Sequence, residues 1–294
     1  MTSSYPKSAT NALPRGIKAK IIRAPAATQT RHAVNLTGGI YQMNMAADLT
    51  PLAEATDDGP FCTPVGQVVR TVILGEPVYF TITNRRDAIQ KFHCLGQFYE
   101  EEELDIIRRW FRPGSVFCDI GANIGNHSLF ALKFLRASHS ILFEPNPAAI
   151  AILRSNLELN GLTDRADFTN IGYGLSDTAA SGLAISAPGR NMGAGKLVQG
   201  DGTLQTLRGD DALAGRHVDF IKIDVEGMEL RVLGGLTDTL ARCRPLIFIE
   251  VDRANAFEFK QWYRAHGYGV RARFKRYRTN ENFLLEPIPP LAAG

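Results

Sequence analysis

The stretch Val116–Ser128 constrains the fold more than any other part of the chain. Its sequence, V-F-C-D-I-G-A-N-I-G-N-H-S, runs from apolar residues through a loop bounded by Gly121 and Gly125 into apolar residues at helical spacing. This order predicts a strand, a tight loop and a helix. Glycines let the backbone approach a ligand, and the first N–H groups of a helix carry partial positive charge. The loop therefore suits a nucleotide-like molecule, and a tight connection without a ligand is the alternative.

Composition narrows the class of protein. The 294 residues are 45% hydrophobic, enough for a full core, and the formal charge of +3 gives no reason to expect a nucleic-acid or membrane partner. No apolar run approaches the ~20 residues of a membrane span. Four cysteines without short paired spacing are typical of reduced thiols: Cys62, Cys94, Cys118 and Cys243. We therefore expect a cytoplasmic protein.

The chain divides into three predicted regions. Residues 1–60 lack sustained periodicity and predict a loosely ordered arm, with one short packed segment near Ile40–Met45. Residues 61–96 contain two β-branched runs around Gly75-Glu76-Pro77, which predict a β-hairpin that makes an N-terminal flap. Residues 97–294 form the main domain.

Strands and helices alternate in the main domain. Predicted helices are Gln97–Arg112, one from Leu129 to Leu135, one from Pro147 to Asn160, one through Val232, Leu236 and Leu240 that is interrupted at Gly234-Gly235, and Ala256–Ala265. Predicted strands after the loop are Ser140–Glu144, Ala166–Ile171, Val218–Val225, Pro245–Val251, Tyr268–Phe274 and Asn282–Glu286. Residues 172–217 predict an elaborated crossover with short strands near Leu183–Ser186 and Lys196–Val198. This alternation favours a mainly parallel sheet with helices on both faces.

Acidic residues lie where the predicted strands end. Ligands of parallel sheets collect beyond those carboxyl ends, which places Asp119, Glu144, Asp224 and Glu226 near one site. Glu144 follows Gly121 by 23 residues, close to the spacing of an acid that accepts hydrogen bonds from ribose hydroxyls. A helix-capping carboxylate is the alternative for Glu144.

Two cofactor classes fit a ribose-binding acid. The loop 121–125 is not G-x-G-x-x-G, so the dinucleotide fingerprint is met only in part. An anionic Asp119 beside the loop would repel a pyrophosphate but favour a cationic aminoacyl group or sulfonium, directly or through water. The residues therefore favour S-adenosylmethionine over NAD.

Four segments together resemble a known family. They are D-I-G-A-N-I-G-N-H-S (119–128), F-E-P-N-P (143–147), G-L-S-D (174–177) and I-K-I-D-V-E-G-M-E-L-R-V-L-G-G (221–235). In this order and spacing they resemble the FkbM family of class I S-adenosylmethionine-dependent methyltransferases, over roughly residues 97–286. The resemblance implies an α/β, Rossmann-like fold with a seven-stranded sheet whose last strand is antiparallel. It also implies O-methylation of a hydroxyl on a saccharide or small-molecule natural product.

The resemblance also implies roles for residues. Gly121, Asn123 and Gly125 would shape the aminoacyl pocket, Glu144 would hold the ribose, and Asn146 would lie beside the adenine or ribose. The full predicted cofactor-binding set is Asp119, Gly121, Ala122, Asn123, Gly125, Asn126, Glu144, Pro145 and Asn146. The arm and the glycine-rich crossover leave the acceptor open, because such additions often build acceptor pockets.

Asp224 and Glu226 are the predicted catalytic residues. They follow the strand whose end would lie beside the transferred methyl group, so either carboxylate would remove the proton of the acceptor hydroxyl. The alternative gives Glu226 the next helix N-terminus and Asp224 the cofactor. His127 is a second candidate base, although a packing role is the more common one. His93 and His217 have no companions at metal-ligand spacing, so no metal site is predicted.

The basic segment Arg271–Arg278 has two interpretations. Phe274 and Tyr277 among basic residues would suit stacking on nucleic acid. Alternation of apolar and basic residues instead fits a strand with a solvated face, which we favour. The predicted function is an S-adenosylmethionine-dependent O-methyltransferase. A nicotinamide-dependent oxidoreductase and a non-catalytic binding domain on the same fold are the alternatives.

Overall fold

Strands and helices alternate along the chain as the sequence predicts. The structure is a computed structural model that describes residues 63–186 and 195–289. The strands are β1 (Gln67–Ile73), β2 (Glu76–Ile82), β3 (Val116–Ile120), β4 (His139–Phe143), β5 (Ala166–Asp167), β6 (Tyr173–Ser176), β7 (Ala180–Ser186), β8 (Lys196–Gln199), β9 (Leu204–Arg208), β10 (Phe220–Ile223), β11 (Leu246–Asp252), β12 (Tyr268–Phe274) and β13 (Asn280–Pro287). The helices are α1 (Gln90–His93), α2 (Glu101–Trp110), α3 (Asn126–Phe134), α4 (Pro147–Leu159), α5 (Gly209–Ala212), α6 (Glu229–Gly235), α7 (Thr237–Cys243) and α8 (Ala256–Ala265).

The described residues form a seven-stranded sheet in the order β12-β13-β11-β10-β3-β4-β5. Strands β3, β4, β5, β10 and β11 pair in parallel, and β13 runs antiparallel to both of its neighbours. The Rossmann-like fold and its antiparallel last strand are therefore confirmed. The chain extends the sheet from β3 towards β5 and then returns to the other side through β10. This reversal opens a crevice beyond the carboxyl ends of β3 and β10.

Helices cover both faces of the sheet because its central strands are apolar on both sides. Phe117 and Phe220 pack in a core with residues of α2 and α3, whereas Cys118 and Ile221 face a second core that includes α6, α7 and α8. All four residues of β10 are buried, including Lys222. A lysine on a strand that is buried from both sides must find partners within the protein.

The N-terminal hairpin belongs to the main core. Val78, Phe80 and Ile82 of β2 are buried in the same apolar cluster as α2 and α3. The Thr81 backbone N–H donates to Asn156 Oδ1 of α4 at 2.7 Å. The hairpin is confirmed, but its description as a flap is wrong, because β2 is fixed to α4 by buried apolar and polar contacts.

The crossover contains more structure than the sequence indicates. The predicted short strands correspond to β7 and β8, and the unpredicted β6 and β9 complete a four-stranded sheet in the order β6-β9-β7-β8. The third predicted strand is shorter than expected, because the Asp167 carboxylate accepts a hydrogen bond from the Thr169 N–H at 2.8 Å and turns the chain.

Other elements agree closely with their predictions. Helix α2 is shorter than Gln97–Arg112 and is preceded by the unpredicted α1, whereas α8 and β12 have the predicted bounds. The helix through Val232 and Leu240 is divided at Leu236, next to the predicted interruption. The arm, including Ile40–Met45, lies outside the described residues.

Candidate active site

The loop after β3 is fixed by backbone contacts that only glycine permits. The N–H groups of Gly121 and Ala122 both donate to the Phe143 carbonyl, at 2.9 and 3.0 Å. Gly121 has φ of +79°, and a Cβ built there would lie 1.9 Å from the Asp224 carbonyl oxygen. Since that distance is far below van der Waals contact, the close approach of β3 and β10 at this point requires glycine.

The Glu144 side chain joins the two loops that begin at the ends of β3 and β4. Its carboxylate accepts hydrogen bonds from the N–H groups of Asn123 and Asn146, both at 2.8 Å. Burial raises the pKa of Glu144 to about 7, although both backbone N–H groups oppose this shift. Asn146 caps α4 by accepting from the Ala148 N–H, with Pro147 in the first turn as predicted. Glu144 is thus a buried acid in a fixed position at the sheet edge.

These loops border a cavity with an empty volume of about 660 Å³, including space open to solvent. Seven predicted site residues line the cavity: Gly121, Asn123, Glu144, Pro145, Asn146, Asp224 and Glu226. The other lining residues come from the strand ends, the small sheet and the loop before α6: Ile120, Phe143, Gly174, Leu175, Ile185, Gly195, Leu197, Val225 and Met228. The lining therefore combines polar groups held on the loops with apolar residues of the strand ends and the small sheet.

Asp119 lies beneath this cavity, not on its wall. Its side chain is fully buried, accepts a hydrogen bond from Ser128 Oγ at 2.6 Å, and lies 3.4 Å from Lys222 Nζ. Direct contact between Asp119 and a ligand, as the sequence analysis allowed, does not fit this geometry. The carboxylate instead compensates a buried ammonium group.

Three other members of the predicted set also face away from the cavity. Ala122 is buried in the apolar core, and a Cβ at Gly125 would meet the Leu153 side chain at 3.1 Å. Asn126 is buried, and its Oδ1 accepts a hydrogen bond from the Tyr99 N–H at 3.0 Å and lies 3.0 Å from His93 Nε2. These residues hold the loop and α3 in place.

Lys222 connects the two sides of the site. Its Nζ donates to the Gly121 carbonyl at 2.7 Å and lies 3.4 Å from Asp119 and 3.6 Å from Asp224. Burial alone would lower the pKa of Lys222, but the carboxylates of Asp119 and Asp224 outweigh burial and raise it. The sequence signal was a lysine within the apolar run V-D-F-I-K-I-D-V, which the sequence analysis left without a role.

Three carboxylates meet at the end of β10. Side-chain oxygens of Asp224, Glu226 and Glu250 lie within 4.8 Å of one another. Burial, followed by the charge of Asp224, raises the pKa of Glu226 to about 7 and that of Glu250 to about 9. Carboxylates at this spacing can hold a metal ion. The sequence prediction of no metal site considered only histidines and stays a prediction.

Glu100 and His127 lie beside this carboxylate cluster. Glu100 has φ of +61°, and burial and the charge of Asp224 raise its pKa to about 8. His127 Nε2 lies 3.7 Å from a Glu100 oxygen and has no hydrogen-bond partner. Burial, helped by the charge of Lys222, lowers the pKa of His127 well below its ordinary value, so its imidazole is neutral at pH 7. The pair is therefore not an ion pair at neutral pH.

The predicted edge strand is present. Strand β12 ends the large sheet, and Arg271 and Arg273 are exposed on it and pair with Glu286 and Glu281 of β13. The solvated-face interpretation is confirmed, whereas the absence of a nucleic-acid partner stays a prediction. Among the described residues, no helix is long and apolar enough to cross a membrane.

Comparison with known proteins identifies the family. The model of the FkbM methyltransferase domain matches residues 119–276, which include the cavity loop, Glu144 and the carboxylate cluster. The chain belongs to the FkbM methyltransferase family. The resemblance stated from the four sequence segments is thus confirmed.

Two methyltransferases are similar in sequence to this FkbM chain. It is 33% identical over 147 residues to the hexuronic acid methyltransferase AglP of Haloferax volcanii, covering 47% of this chain and 58% of that protein. It is 28% identical over 165 residues to the 2-O-methyltransferase NoeI of Sinorhizobium fredii, covering 50% of this chain and 67% of that protein. The match to AglP therefore spans less than two thirds of its length.

Solved structures are more distant. The B. subtilis M1A22 tRNA methyltransferase TrmK has a TM-score of 0.43 and 16% identity, covering 65% of this chain and 68% of TrmK. Ribosomal protein L11 methylase of Lactobacillus delbrueckii has a TM-score of 0.41 and 14% identity, covering 64% and 78% of the two chains.

Proposed function

We propose that the chain binds S-adenosylmethionine in the cavity and methylates a hydroxyl of a saccharide or another small molecule. The observation that carries this proposal is the cavity at the strand-order reversal, bordered by the Gly121 loop, Glu144 and the Asp224–Glu226 segment. FkbM family membership supports methyl transfer, and the names of AglP and NoeI support a hydroxyl-bearing saccharide acceptor. The cytoplasmic location and the boundaries at residues 60 and 96 stay predictions.

The residues present fit such a cofactor. Gly121 lines the cavity, and Glu144 keeps lone pairs free for ribose hydroxyls beyond its two backbone bonds. Asn146 and Pro145 border the same side, where adenine and ribose would bind. The ionisable side chains among the described lining residues are all acidic: Glu144, Asp224 and Glu226. An acidic wall suits a cationic sulfonium and disfavours the pyrophosphate of a dinucleotide.

The chemistry at Asp224 and Glu226 follows from their position. Bound S-adenosylmethionine supplies an electrophilic methyl group. Fixed groups around the cavity hold the acceptor oxygen in line, which contributes much of the rate. A carboxylate at 224 or 226 accepts the hydroxyl proton, and a pKa of about 7 at Glu226 suits a base that works near neutral pH.

Two measurements test this proposal. Calorimetry should detect binding of S-adenosylhomocysteine and none of NAD; the opposite result would exclude the methyltransferase assignment. Labelled S-adenosylmethionine incubated with the protein and a glycan extract should then transfer label to a saccharide.

Variants test the assignment of the base. Asp224→Asn and Glu226→Gln should each lower turnover about 100-fold or more if that residue is the base. The exposed residues Asp164 and Glu258 provide the matched controls Asp164→Asn and Glu258→Gln. Near-normal turnover in both active-site variants would remove the two acids from the catalytic role.

A further inference from the structure

The acceptor side of the site is built from acids. Asp224 and Glu226 line the cavity, and Glu250 lies within 4.8 Å of both. Glu100 lies close enough for the charges of Asp224 and Glu250 to interact with its own. Their positions result from the fold: the pairing of Ile223 with Ile249 in the parallel register of β10 and β11 brings the following residues, Asp224 and Glu250, together.

Nearby ammonium groups are already paired. Lys222 is bonded to the Gly121 carbonyl and lies between Asp119 and Asp224. Lys196 of β8 lies 3.5 Å from Asp252. The charge of Lys196 also acts on Glu226, so among the described residues both lysines already compensate carboxylates of the site and its border.

The guanidinium nearest to Glu100 is also engaged. Arg276 lowers the pKa of Glu100 through its charge, but it is bonded to the carboxylates of Glu102 and Glu103. An anionic ligand would have to compete with two carboxylates for this group as well.

Neutral hydrogen-bonding groups accompany the acids. Asn280 Nδ2 donates to Glu250 at 2.6 Å, with Asn282 Nδ2 at 3.5 Å from the other carboxylate oxygen. His127 is 93% buried, and its unpartnered Nε2 faces Glu100 at 3.7 Å. Amide, imidazole and carboxyl groups together donate to and accept from hydroxyls without requiring charge on the ligand.

We propose that this carboxylate cluster selects a neutral, hydroxyl-rich saccharide as acceptor and discriminates against the corresponding uronate. The inference rests on the proposed function and specifies its substrate class. A carboxylate on an acceptor near Asp224, Glu226 and Glu250 would add negative charge where the described lysines already compensate existing acids. Like charges placed together are a common device of specificity. Burial is the main cause of the raised pKa values of Glu226 and Glu250, and the negative charge of Asp224 raises both further.

The test uses matched acceptors. The nitrophenyl glycosides of glucose, galactose and mannose are each compared with the glycoside of the corresponding uronic acid, with labelled S-adenosylmethionine and EDTA. The members of a pair differ only in CH₂OH against a carboxylate. We expect kcat/KM to be at least tenfold higher for the neutral member of any pair that is methylated. Equal or better methylation of the uronate would overturn the inference.

A variant connects the preference to the cluster. Glu250→Gln removes a cluster acid that has no proposed catalytic role. At pH 9.5, above the pKa of about 9 of Glu250, it should narrow the neutral-to-uronate ratio of kcat/KM at least threefold. Glu258→Gln, an exposed position on α8, should leave the ratio unchanged. If Glu250→Gln has the same neutral-to-uronate ratio of kcat/KM as the parent protein at that pH, the carboxylate cluster does not determine the preference.

Prior calorimetry separates the two levels of the proposal. If S-adenosylhomocysteine does not bind, the proposed function itself fails. If it binds and both members of a pair are methylated equally, only the charge preference fails. If it binds and no glycoside is methylated, the saccharide class fails and the preference fails with it. A uronate preference that arises only with added Mg²⁺ also contradicts the inference, because a metal ion would then replace the free carboxylates.

Discussion

The two sides of the cavity are built in opposite ways. On the side of β3 and β4, the Glu144 carboxylate accepts two backbone N–H bonds and the Phe143 carbonyl accepts two more. On the side of β10 and β11, three carboxylates crowd within 4.8 Å, and His127 Nε2 has no partner. On the first side, hydrogen bonds within the chain fix the backbone of both loops and leave Asn123 Oδ1 without a partner. On the second side, the acids are crowded together.

We interpret the β3/β4 side as the fixed side, which binds the cofactor, and the β10/β11 side as the crowded side, which selects the acceptor. A side whose groups are already fixed can bind one ligand of constant structure without further ordering. Carboxylates placed close together raise the electrostatic free energy of the folded protein. Acids with strongly shifted pKa values are typical of functional sites. Lys222 joins the two, since the same Nζ contacts the Gly121 carbonyl on one side and lies near Asp224 on the other. The comparison therefore predicts different consequences for changes at the junction, on the fixed side and on the crowded side.

The largest effect is expected at the junction. Lys222→Met removes the ammonium group that compensates the fully buried Asp119. Leaving one partner of a buried ion pair uncompensated costs about 3–5 kcal/mol, so the free energy of unfolding should fall by that amount in urea denaturation. The double variant Asp119→Asn, Lys222→Met should recover part of the loss, and Lys260→Met on the exposed face of α8 is the control. A loss below about 1 kcal/mol would mean that Lys222 does not hold the two sides together.

The next largest effect should come from the fixed side. Gly121→Ala places a Cβ 1.9 Å from the Asp224 carbonyl oxygen, which forces β3 and β10 apart. We expect affinity for S-adenosylhomocysteine to fall at least 100-fold, about 2.7 kcal/mol, in calorimetry. Gly75→Ala is a matched control, with φ of +87° and no atom within 4 Å of the added Cβ. It should lower stability slightly and leave affinity unchanged. If Gly121→Ala and Gly75→Ala bind S-adenosylhomocysteine with equal affinity, the positive φ of Gly121, and not its close approach to Asp224, accounts for the glycine at this position.

A smaller loss of affinity is expected at Glu144. In Glu144→Gln one of the two carboxylate oxygens becomes an NH₂ group that faces the N–H of Asn123 or Asn146. Opposed donors cannot bond, so the loop geometry should loosen and affinity for S-adenosylhomocysteine should fall about tenfold, or about 1.4 kcal/mol. Glu258→Gln should bind as the parent protein does. Unchanged affinity in Glu144→Gln would show that the fixed side does not depend on this bridge.

The sequence predicted the fixed side better than the crowded side, because the fixed side follows from local sequence patterns and the crowded side depends on how distant strands pair. The loop after β3 and Glu144 lie next to the strands that position them, so spacing along the chain was sufficient. The proximity of Glu250 to Asp224 depends on the register of β10 against β11, which no local pattern encodes. Lys222 was visible as a polar residue in an apolar strand, but its partners Asp119 and Gly121 are about a hundred residues away in sequence.

Four predicted cofactor-binding residues do not line the cavity, and their contact with a cofactor stays a prediction: Asp119, Ala122, Gly125 and Asn126. A sequence motif does not distinguish residues that contact a ligand from residues that support the loop. Strands β6 and β9, of four and five residues, were the strands of the crossover that the sequence did not predict.

The smallest expected effect concerns the dependence of stability on pH at the crowded side. Burial and neighbouring acids raise the pKa of Glu250 to about 9 from 4.5, so the folded protein keeps a proton that the unfolded chain has lost. Unfolding then releases that proton, and the contribution of Glu250 to stability falls as pH rises from about 4.5 to 9. Between pH 7.5 and 8.5, the free energy of unfolding of the parent protein should fall by up to about 1 kcal/mol more than that of Glu250→Gln.

Glu100 has a pKa of about 8, within the measured window, and it is present in both proteins. Glu226, Glu144 and His93 should not obscure the difference either. The pKa values of Glu226 and Glu144 are about 7, below the measured window, and both residues remain in the variant. The pKa of His93 is lowered to about 4 by burial, so its contribution is lost at acidic pH, well outside the window. Urea denaturation of both proteins at pH 7.5, 8.0 and 8.5 makes the comparison. Parallel pH profiles would show that Glu250 exchanges no proton on unfolding there, and the contrast between the fixed side and the crowded side would lose its electrostatic basis.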